Sequence, residues 1–209
     1  MKSPARAVLL CLTLTSLCAA PPQYYVTGQV GVFNADAGSS AAFGPYVDRG
    51  IRSGSKTLVD FAVGADFLDW LSLEAGYVDF ASFSSAVFIV SPDVATARAE
   101  AIWQTYELRA YRLTPVFHVS LADHLTLSVL GGLTHSTGQV AVQDRTLPRY
   151  KSTLDLNNDS YHYGFGFTYR LTGHAALEAR YLHCDFGKAT HATNRVTANT
   201  ASLGLSWHF

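Results

Sequence analysis

The sequence predicts an all-β chain that folds as an eight-stranded antiparallel up-and-down transmembrane β-barrel. Three observations support this fold class. Eight runs of residues alternate apolar with small or polar side chains, which is the two-residue period of a half-buried strand. The connections between these runs alternate between long and short. The final run, residues 200–209, is an amphipathic strand that needs a partner along its full length, as the closing strand of a barrel has.

Composition excludes several other classes of protein. The chain has 209 residues, of which 15% are charged and 12% are aromatic, and this length fits one domain. The formal net charge is −1 and the basic residues do not cluster, so nucleic acid is not an expected partner. Past the N-terminus, no apolar run reaches the roughly 18 residues that a membrane-spanning helix needs. A membrane-embedded chain of this composition therefore crosses the bilayer with strands.

The N-terminus has the layout of a secretory signal. Basic residues precede an apolar run at 7–17, and Cys18 and two alanines follow it. We expect residues 1–20 to be a signal peptide with an approximate cleavage site, and residues 21–209 to form the barrel. A lipoprotein is the alternative, but the residue before Cys18 is a bulky leucine. Removal of the signal leaves Cys184 as a single thiol, so no internal disulfide is expected.

The first three strands show clear alternation between two faces. In the first, residues 24–33, Tyr and Val alternate with Thr, Gln and Gly, and in the second, residues 57–67, Val, Phe and Ala alternate with Asp and Gly. A long connection rich in Gly, Ser and Ala, residues 34–56, separates them. A tight turn around Asp69 leads into the third strand, residues 71–80, in which Leu, Ala and Tyr alternate with Ser, Glu and Gly.

The fourth and fifth strands flank a short polar link. The fourth, residues 104–118, follows a long connection, residues 81–103, within which residues 94–101 are a candidate short helix. The fifth strand, residues 125–133, has a less regular alternation at its two adjacent glycines. This irregularity predicts a β-bulge or a glycine kink.

The last three strands begin with the most regular alternation in the chain. The sixth, residues 161–169, places five aromatic residues on one face, and a polar connection rich in Asp and Asn, residues 135–160, precedes it. A two-residue turn at Thr172-Gly173 leads into the seventh strand, residues 175–185. A long connection, residues 186–195, precedes the closing strand.

The alternation of long and short connections indicates how the barrel lies in the membrane. Bacterial outer-membrane barrels have an even strand number, short periplasmic turns and longer extracellular loops. Strands of about ten residues, rising about 3.3 Å per residue and tilted by about 40°, also match an apolar band about 25 Å tall. We therefore expect the four long connections outside the cell and the three short turns in the periplasm.

The requirement for an apolar lipid face identifies a set of inward charges. In the fourth strand, outward Tyr111 and Leu113 place Arg112 inside, and the opposite register would cost about 2–4 kcal/mol by placing this arginine in lipid. The same criterion turns five charged residues inward at similar depth: Asp60, Glu74, Arg112, Glu178 and Arg180. Because eight strands leave no open channel, these charges must satisfy one another. We expect Arg112 to supply the positive charge for the carboxylates of the second and third strands.

Several segments together resemble a known family. They are Y-Y-V-T-G-Q-V-G-V-F (24–33), L-S-L-E-A-G-Y-V-D-F (71–80), Y-G-F-G-F-T-Y-R-L-T (163–172), L-E-A-R-Y-L-H-C-D-F-G (177–187) and S-L-G-L-S-W-H-F (202–209). The chain resembles the transmembrane domain of outer-membrane protein A and related opacity-type barrels. The resemblance implies a bacterial outer-membrane location, lipid surroundings and assembly by the barrel-assembly machinery. It also implies that Glu74 belongs to an interior salt-bridge network and that the closing strand carries an assembly signal at Leu203, Leu205, Trp207 and Phe209.

From the sequence we expect a monomer with a structural and surface-interaction role, in adhesion or envelope integrity. Its four extracellular loops would make the contact, and the sequence does not identify their ligand. A narrow ion-conducting pore is the alternative. A lipid A-modifying enzyme is a further one, for which His183 with Asp185 on the same outward face is the nearest candidate pair. The deacylase-like pattern, however, has a serine where Asp185 stands.

Metal binding at the outer rim has weak support in the sequence. His135, His162, His183 and His191 could meet there, but they lack a compact metal-ligand spacing. We therefore expect no catalytic residue, no metal and no cofactor.

Overall fold

The computed structural model describes residues 21–37, 56–90, 99–144, 151–188 and 195–209. Eight strands in these ranges form a closed barrel, in which each strand pairs antiparallel with its sequence neighbours and the last strand pairs with the first. The predicted fold class is confirmed. In the same ranges, a helix long and apolar enough to cross a membrane is not found. The strands are β1 (Gln23–Ala37), β2 (Lys56–Leu68), β3 (Leu71–Val90), β4 (Ala99–Ala122), β5 (Leu125–Asp144), β6 (Lys151–Arg170), β7 (Ala175–Lys188) and β8 (Arg195–His208).

Side chains alternate between the lipid face and the interior as the sequence pattern predicts. On β2, Phe61 and Val63 are 59% and 58% exposed, whereas Asp60 is 4% exposed. On β4, Tyr111 is outward and Arg112 is buried. The outward side chains form an apolar belt, because lipid rather than water solvates this face.

Two rows of aromatic side chains bound this belt. The row near the short turns contains Tyr24, Trp70, Tyr169 and Trp207, and the row near the long connections contains Tyr77, Tyr111, Tyr161, Tyr163 and Tyr181. On β6, Tyr161 and Tyr169 mark the two rows. The eight residue steps between them span about 26 Å along the strand and about 20 Å along the axis at a tilt of about 40°. Amphipathic aromatics favour the two membrane interfaces, so the rows place the bilayer on the barrel.

The barrel wall is much taller on one side. Strands β3, β4, β5 and β6 have 20, 24, 20 and 20 residues, whereas β1, β2, β7 and β8 have 15, 13, 14 and 14. The extra residues lie at the end with the long connections, since β3 passes its last β2-paired residue, Phe80, and ends at Val90. We call this four-stranded extension the projecting sheet, residues 80–90, 99–109, 137–144 and 151–157. From Arg109 to Ala99 it rises by about 33 Å along the strand, or about 25 Å along the axis.

The predicted strands therefore stop short of the outer ends that the structure shows. Residues 81–90, 135–144 and 151–160 belong to strands rather than to connections, and β1, β7 and β8 show smaller extensions. In the candidate helix, residues 94–101, the last three residues are strand, and the others lie outside the described residues, as does the signal peptide at 1–20. Beyond the bilayer, water can solvate either face of a strand, so strict alternation is no longer required.

Three local details also differ from the sequence-based expectation. The β4–β5 register is the same on both sides of the adjacent glycines of β5, so no bulge occurs there, and a glycine kink stays a prediction. Pairing is interrupted opposite these glycines at Thr114 and Pro115, and proline has no N–H to donate. The turn after β6 has four residues, Leu171–His174, rather than two. A bulge does occur in β7, between Asp185 and Gly187, where glycine adopts a φ of 72° that other residues rarely adopt.

This bulge removes Asp185 from the outward face of β7. Asp185 and Phe186 are 2% and 0% exposed, and Oδ1 of Asp185 accepts a hydrogen bond from the Gly187 N–H at 2.8 Å. The expectation that His183 and Asp185 share an outward face is therefore wrong. The candidate pair for a lipid A-modifying enzyme is not formed.

The outer half of the barrel interior is an apolar core. Phe80 contacts both Phe33 and Phe186 edge to face, with ring centroids 5.1 Å apart in each pair. Each of these three side chains is at most 2% exposed. The rest of this outer core consists of Ala35, Leu58, Val78, Tyr106, Leu108, Ala110, Leu182, Cys184, Val196 and Ala198, and the cluster continues toward the short turns through Val116 and Leu130. This core fills the lumen where the projecting sheet begins.

Candidate functional site

The structure places all five charges singled out in the sequence inside the barrel, between the apolar core and the short turns. Their exposed fractions range from 2% to 8%. Asp60, Glu74 and Arg112 come from the consecutive strands β2, β3 and β4, and Glu178 and Arg180 come from β7 on the opposite wall. Because β7 lies across the lumen, the two groups meet near the barrel axis.

Arg112 and Asp60 form one buried ion pair. Nη2 of Arg112 lies 2.7 Å from each carboxylate oxygen of Asp60. The guanidinium crosses β3 at Gly76, where a Cβ atom would stand 3.1 Å from Nη2. Glycine at this position therefore leaves room for Arg112 of β4 to reach across β3 to Asp60 of β2.

Arg180 forms the other centre of the network. Nη1 and Nη2 each lie 2.6 Å from an oxygen of Glu74, which is a bidentate pair, and Nη2 lies 2.8 Å from Oε2 of Glu178. The Tyr25 hydroxyl donates a further hydrogen bond to Glu74 at 2.8 Å. Glu74 is thus bonded by Arg180 rather than by Arg112, which differs from the expectation that Arg112 serves both β2 and β3.

Polar residues of β1 and β8 complete the network, and the sequence pattern did not single them out. Thr27 and Gln29 donate hydrogen bonds to Oε2 of Glu178 at 3.2 and 2.9 Å, and the Ser202 hydroxyl donates to Oε1 of Gln29 at 2.6 Å. Their one signal in the sequence is an inward polar position on an amphipathic strand. Many inward positions share that signal, so it does not select these residues.

A buried histidine of β6 bridges β4 and β5 inside the barrel. His162 is 1% exposed, and its two ring nitrogens contact the hydroxyls of Thr114 and Thr134 at 2.9 and 2.8 Å. His135 instead contacts Asp159 at 2.7 Å on the outer wall, and His183 contacts Asn199. His162 is therefore not at the rim with these two histidines, and His191 lies outside the described residues.

A second hydrogen-bonded chain lies near the short turns. Ser72 Oγ is 2.5 Å from both Asp66 Oδ1 and His118 Nε2, and His118 Nδ1 is 3.1 Å from Ser128 Oγ. In a catalytic triad the carboxylate orients the imidazole, but here it contacts the hydroxyl. Ser72 is also fully buried, so this chain orders the wall and does not present a nucleophile.

The four residues expected to form an assembly signal lie on the outward face of β8. Leu203, Leu205, Trp207 and Phe209 are 54%, 58%, 50% and 71% exposed. The backbone N–H of Phe209 donates to the carbonyl of Tyr24 at 2.9 Å, so the closing pairing extends to this residue. Their role in assembly stays a prediction.

Comparison with known proteins identifies the family. A family model for the outer membrane protein β-barrel domain matches residues 6–209. The chain belongs to this family. The resemblance to small eight-stranded outer-membrane barrels and the location in the bacterial outer membrane are thereby confirmed. Among curated protein sequences, none matches the chain.

Solved structures of other outer-membrane barrels share the fold. Neisserial surface protein A (NspA) has a TM-score of 0.56 at 16% identity, covering 89% of this chain and 97% of NspA. Ail of Yersinia pestis, in complex with the heparin analogue sucrose octasulfate, has a TM-score of 0.52 at 12% identity, covering 91% of this chain and 100% of Ail. The outer membrane protease OmpT of Escherichia coli has a TM-score of 0.54 at 7% identity, covering 91% of this chain and 98% of OmpT. At these identities the likeness to an attachment invasion locus protein and the likeness to a protease both show the fold alone.

Proposed function

We propose that this member of the family is a surface-interaction protein whose contact surface is the projecting sheet. The unequal wall height carries the proposal, because strands β3–β6 extend beyond the bilayer by up to about 25 Å along the axis. Extended sheet beyond the membrane adds nothing to membrane anchoring. It does present a broad and ordered surface for a partner.

The closed lumen supports this proposal over the pore alternative. An ion that passed the three contacting phenylalanines would lose its hydration without gaining a polar partner. Below them, the charged side chains engage one another and leave no open channel of the kind that larger barrels enclose. We therefore propose that the interior charges stabilise the barrel and do not conduct.

The outer face of the projecting sheet indicates the chemistry of the partner. A shallow groove of about 520 Å³ crosses β4, β5 and β6 and is lined by Glu107, Arg109, Thr137, Gly138, Gln139, Asp155 and Asn157. Its two carboxylates outnumber its one guanidinium, and Asp79 and Asp159 are exposed nearby. Electrostatic complementarity favours a protein surface rich in Lys and Arg. A sulfated polyanion such as the ligand in the Ail structure does not complement this face.

We propose binding rather than catalysis as the activity of the outer face. His135 and Asp159, whose side chains lie 2.7 Å apart, are directly opposite residues in the β5–β6 ladder. A charge pair in this arrangement stabilises a sheet by about 0.2–1 kcal/mol, which is a sufficient reason for the contact. His135→Ala should accordingly leave the binding activity of cells unchanged.

The proposed function is tested by shortening the projecting sheet without changing the barrel. In one variant, residues 84–104 are replaced by a short turn, and in a second, residues 139–155 are replaced in the same way. Each variant should still show heat-modifiable gel migration, which reports a folded barrel. Cells that display the chain should lose adherence to surfaces coated with basic proteins when either hairpin is shortened.

Two controls make this experiment decisive. Surfaces coated with acidic proteins or with sulfated polysaccharide should retain few cells in every case. The purified protein should give no steady conductance in a planar bilayer. Full adherence of both shortened variants, or a steady conductance of the unaltered chain, would reject the proposal.

A further inference from the structure

We propose that the outer part of β3 binds an extended segment of the partner protein as an added strand of the projecting sheet. We call this part, residues 83–90, the β3 edge. The inference rests on the proposed function and deepens it, because it identifies the backbone groups that hold the partner. It follows from the strand pairing, from the sequence of this edge and from the charges beside it.

The β3 edge is paired on one side. On the β2 side, pairing of β3 ends at Phe80, whereas the ladder with β4 is regular from Phe83 to Val90. In an antiparallel ladder, alternate residues direct their N–H and C=O groups to opposite neighbours, so about four residues of the edge direct theirs away from β4. Among the residues that the structure describes, no strand pairs with the edge on that side. Such a row of backbone groups is a template for a further strand.

The sequence of the β3 edge favours pairing with another chain. It reads F-S-S-A-V-F-I-V, without a charge, a proline or a glycine, and five of its eight residues are β-branched or aromatic. The strand on the opposite side of the projecting sheet differs, because residues 151–160 of β6 include Lys151, Asp155 and Asp159. Charges of this kind oppose edge-to-edge pairing. The contrast between the two strands indicates that a partner pairs with β3.

The β3 edge lies well above the lipid. Phe83 is six residues beyond Tyr77 of the outer aromatic row, which corresponds to about 20 Å along the strand and about 15 Å along the axis. Val90 lies about 18 Å higher by the same rise and tilt. Ser84, within the edge, is exposed. A segment of a protein in the surroundings of the cell can therefore reach this edge.

The two faces of the sheet define the side chains of the added strand. The register places Phe83 opposite Tyr106, which is 5% exposed and belongs to the apolar core. On this face, the added strand gains from apolar cross-strand neighbours. On the outer face, the exposed carboxylates of Asp79 and Glu107 outnumber the guanidinium of Arg109. Lys or Arg complements this face, so the segment alternates apolar with basic residues.

Fluorescence anisotropy tests the inference on the refolded full chain in detergent. The probe is a fluorescent peptide of about eight residues in which valine alternates with lysine. Two further versions carry backbone N-methyl groups, one on every valine and one on every lysine, so each lacks the N–H groups of one side. One version should bind like the unmodified peptide, and the other should bind at least about tenfold more weakly. Equal affinities of the two versions, or no saturable binding, would overturn the inference.

Disulfide trapping shows where the peptide binds. Ser84→Cys on β3 and Thr153→Cys on β6 are matched variants, because both positions are exposed and share one row on the outer face of the projecting sheet. The native thiol of Cys184 is buried. Peptides with a cysteine at each lysine position in turn should be trapped by Ser84→Cys and not by Thr153→Cys. Equal trapping by the two variants, or trapping by Thr153→Cys alone, would overturn the inference.

Two other occupants of the edge would give different results. If residues 38–55 of the chain occupied it, the peptide would bind only after a short linker replaced them. If a second copy occupied it, analytical ultracentrifugation would show a dimer that the peptide converts to a monomer. Either result would overturn the inference.

Failure of this inference can be told apart from failure of the proposed function. Excess peptide should block adherence of cells to basic protein surfaces. If shortening of the hairpins abolishes adherence and excess peptide does not, the edge inference is overturned and the surface proposal stands. If Ser84→Cys traps the peptide and both shortened variants keep full adherence, the edge is supported and the surface proposal is rejected.

Discussion

Loss of the buried Arg112 side chain should destabilise the barrel strongly. Arg112 and Asp60 lie 2.7 Å apart with side chains only 2% and 5% exposed, so Arg112→Ala leaves a buried carboxylate without its cation. Removing one partner of a buried ion pair costs about 3–5 kcal/mol. With a urea m-value of about 2 kcal/mol/M, the unfolding midpoint of the refolded protein should fall by about 2 M.

A matched control lies three residues earlier on the same strand. Arg109 contacts Asp79 at 3.9 Å, and these side chains are 66% and 49% exposed. An exposed pair contributes about 0–1 kcal/mol, so Arg109→Ala should shift the midpoint by less than about 0.5 M. Urea unfolding followed by heat-modifiable gel migration measures both variants.

A double-mutant cycle shows which carboxylate depends on Arg112. Arg112→Ala combined with Asp60→Ala should recover part of the loss, with a coupling energy of about 1–3 kcal/mol. The combination with Glu74→Ala should be closer to additive, because Glu74 is bonded by Arg180. Additivity of the Arg112 and Asp60 substitutions would refute the pairing, and equal midpoints for Arg112→Ala and Arg109→Ala would refute its burial.

Three further predictions concern the interior and the orientation of the barrel. Gly64→Ala should destabilise the protein and disturb the Tyr25–Glu74 hydrogen bond, because the new Cβ would overlap the Tyr25 ring; Gly173→Ala, which meets nothing within 4 Å, should be neutral in the same urea assay. Phe186→Ala should cost about 3–5 kcal/mol by opening a cavity in the apolar core, and a thermal or urea midpoint equal to that of the unaltered chain would argue against the core. Epitope tags in the four long connections should be detected on intact cells, and tags in the three short turns only after permeabilisation. Detection of a short-turn tag on intact cells would reverse the orientation.

The part of the fold that the sequence predicted is the part in contact with lipid. Phe61, Asp60 and Val63 obey strict alternation because the bilayer requires apolar residues on one face, so the number and order of the strands and the face on which a residue lies follow from the pattern. The projecting sheet was not predicted, because the need for an apolar outward face ends at the lipid headgroups. Residues 151–160 are rich in Asp, Asn and Ser, which are typical of loops, and only pairing with β5 holds them as a strand.

The interior site was predictable in composition but not in pairing. The alternation showed which charged residues point inward. It did not show whether Arg112 or Arg180, on opposite walls, pairs with Glu74. That pairing depends on the barrel diameter and on the space that Gly76 leaves for Arg112. Phe186 was assigned to a connection because the β7 bulge breaks the alternation just before it. The sequence therefore predicted a lumen without an open channel but not the cluster of Phe33, Phe80 and Phe186 that fills its outer half.

The proposed contact surface can be blocked directly on intact cells. Glu107→Cys and Gln139→Cys each place a thiol on the outer face of the projecting sheet, and native Cys184 is only 3% exposed. A bulky membrane-impermeant maleimide should label both variants, but not Leu133→Cys in the lipid belt. Adherence to basic protein surfaces should fall after labelling of either outer-face variant. Absence of labelling at these positions, or full adherence of labelled cells, would contradict a contact surface formed by the projecting sheet.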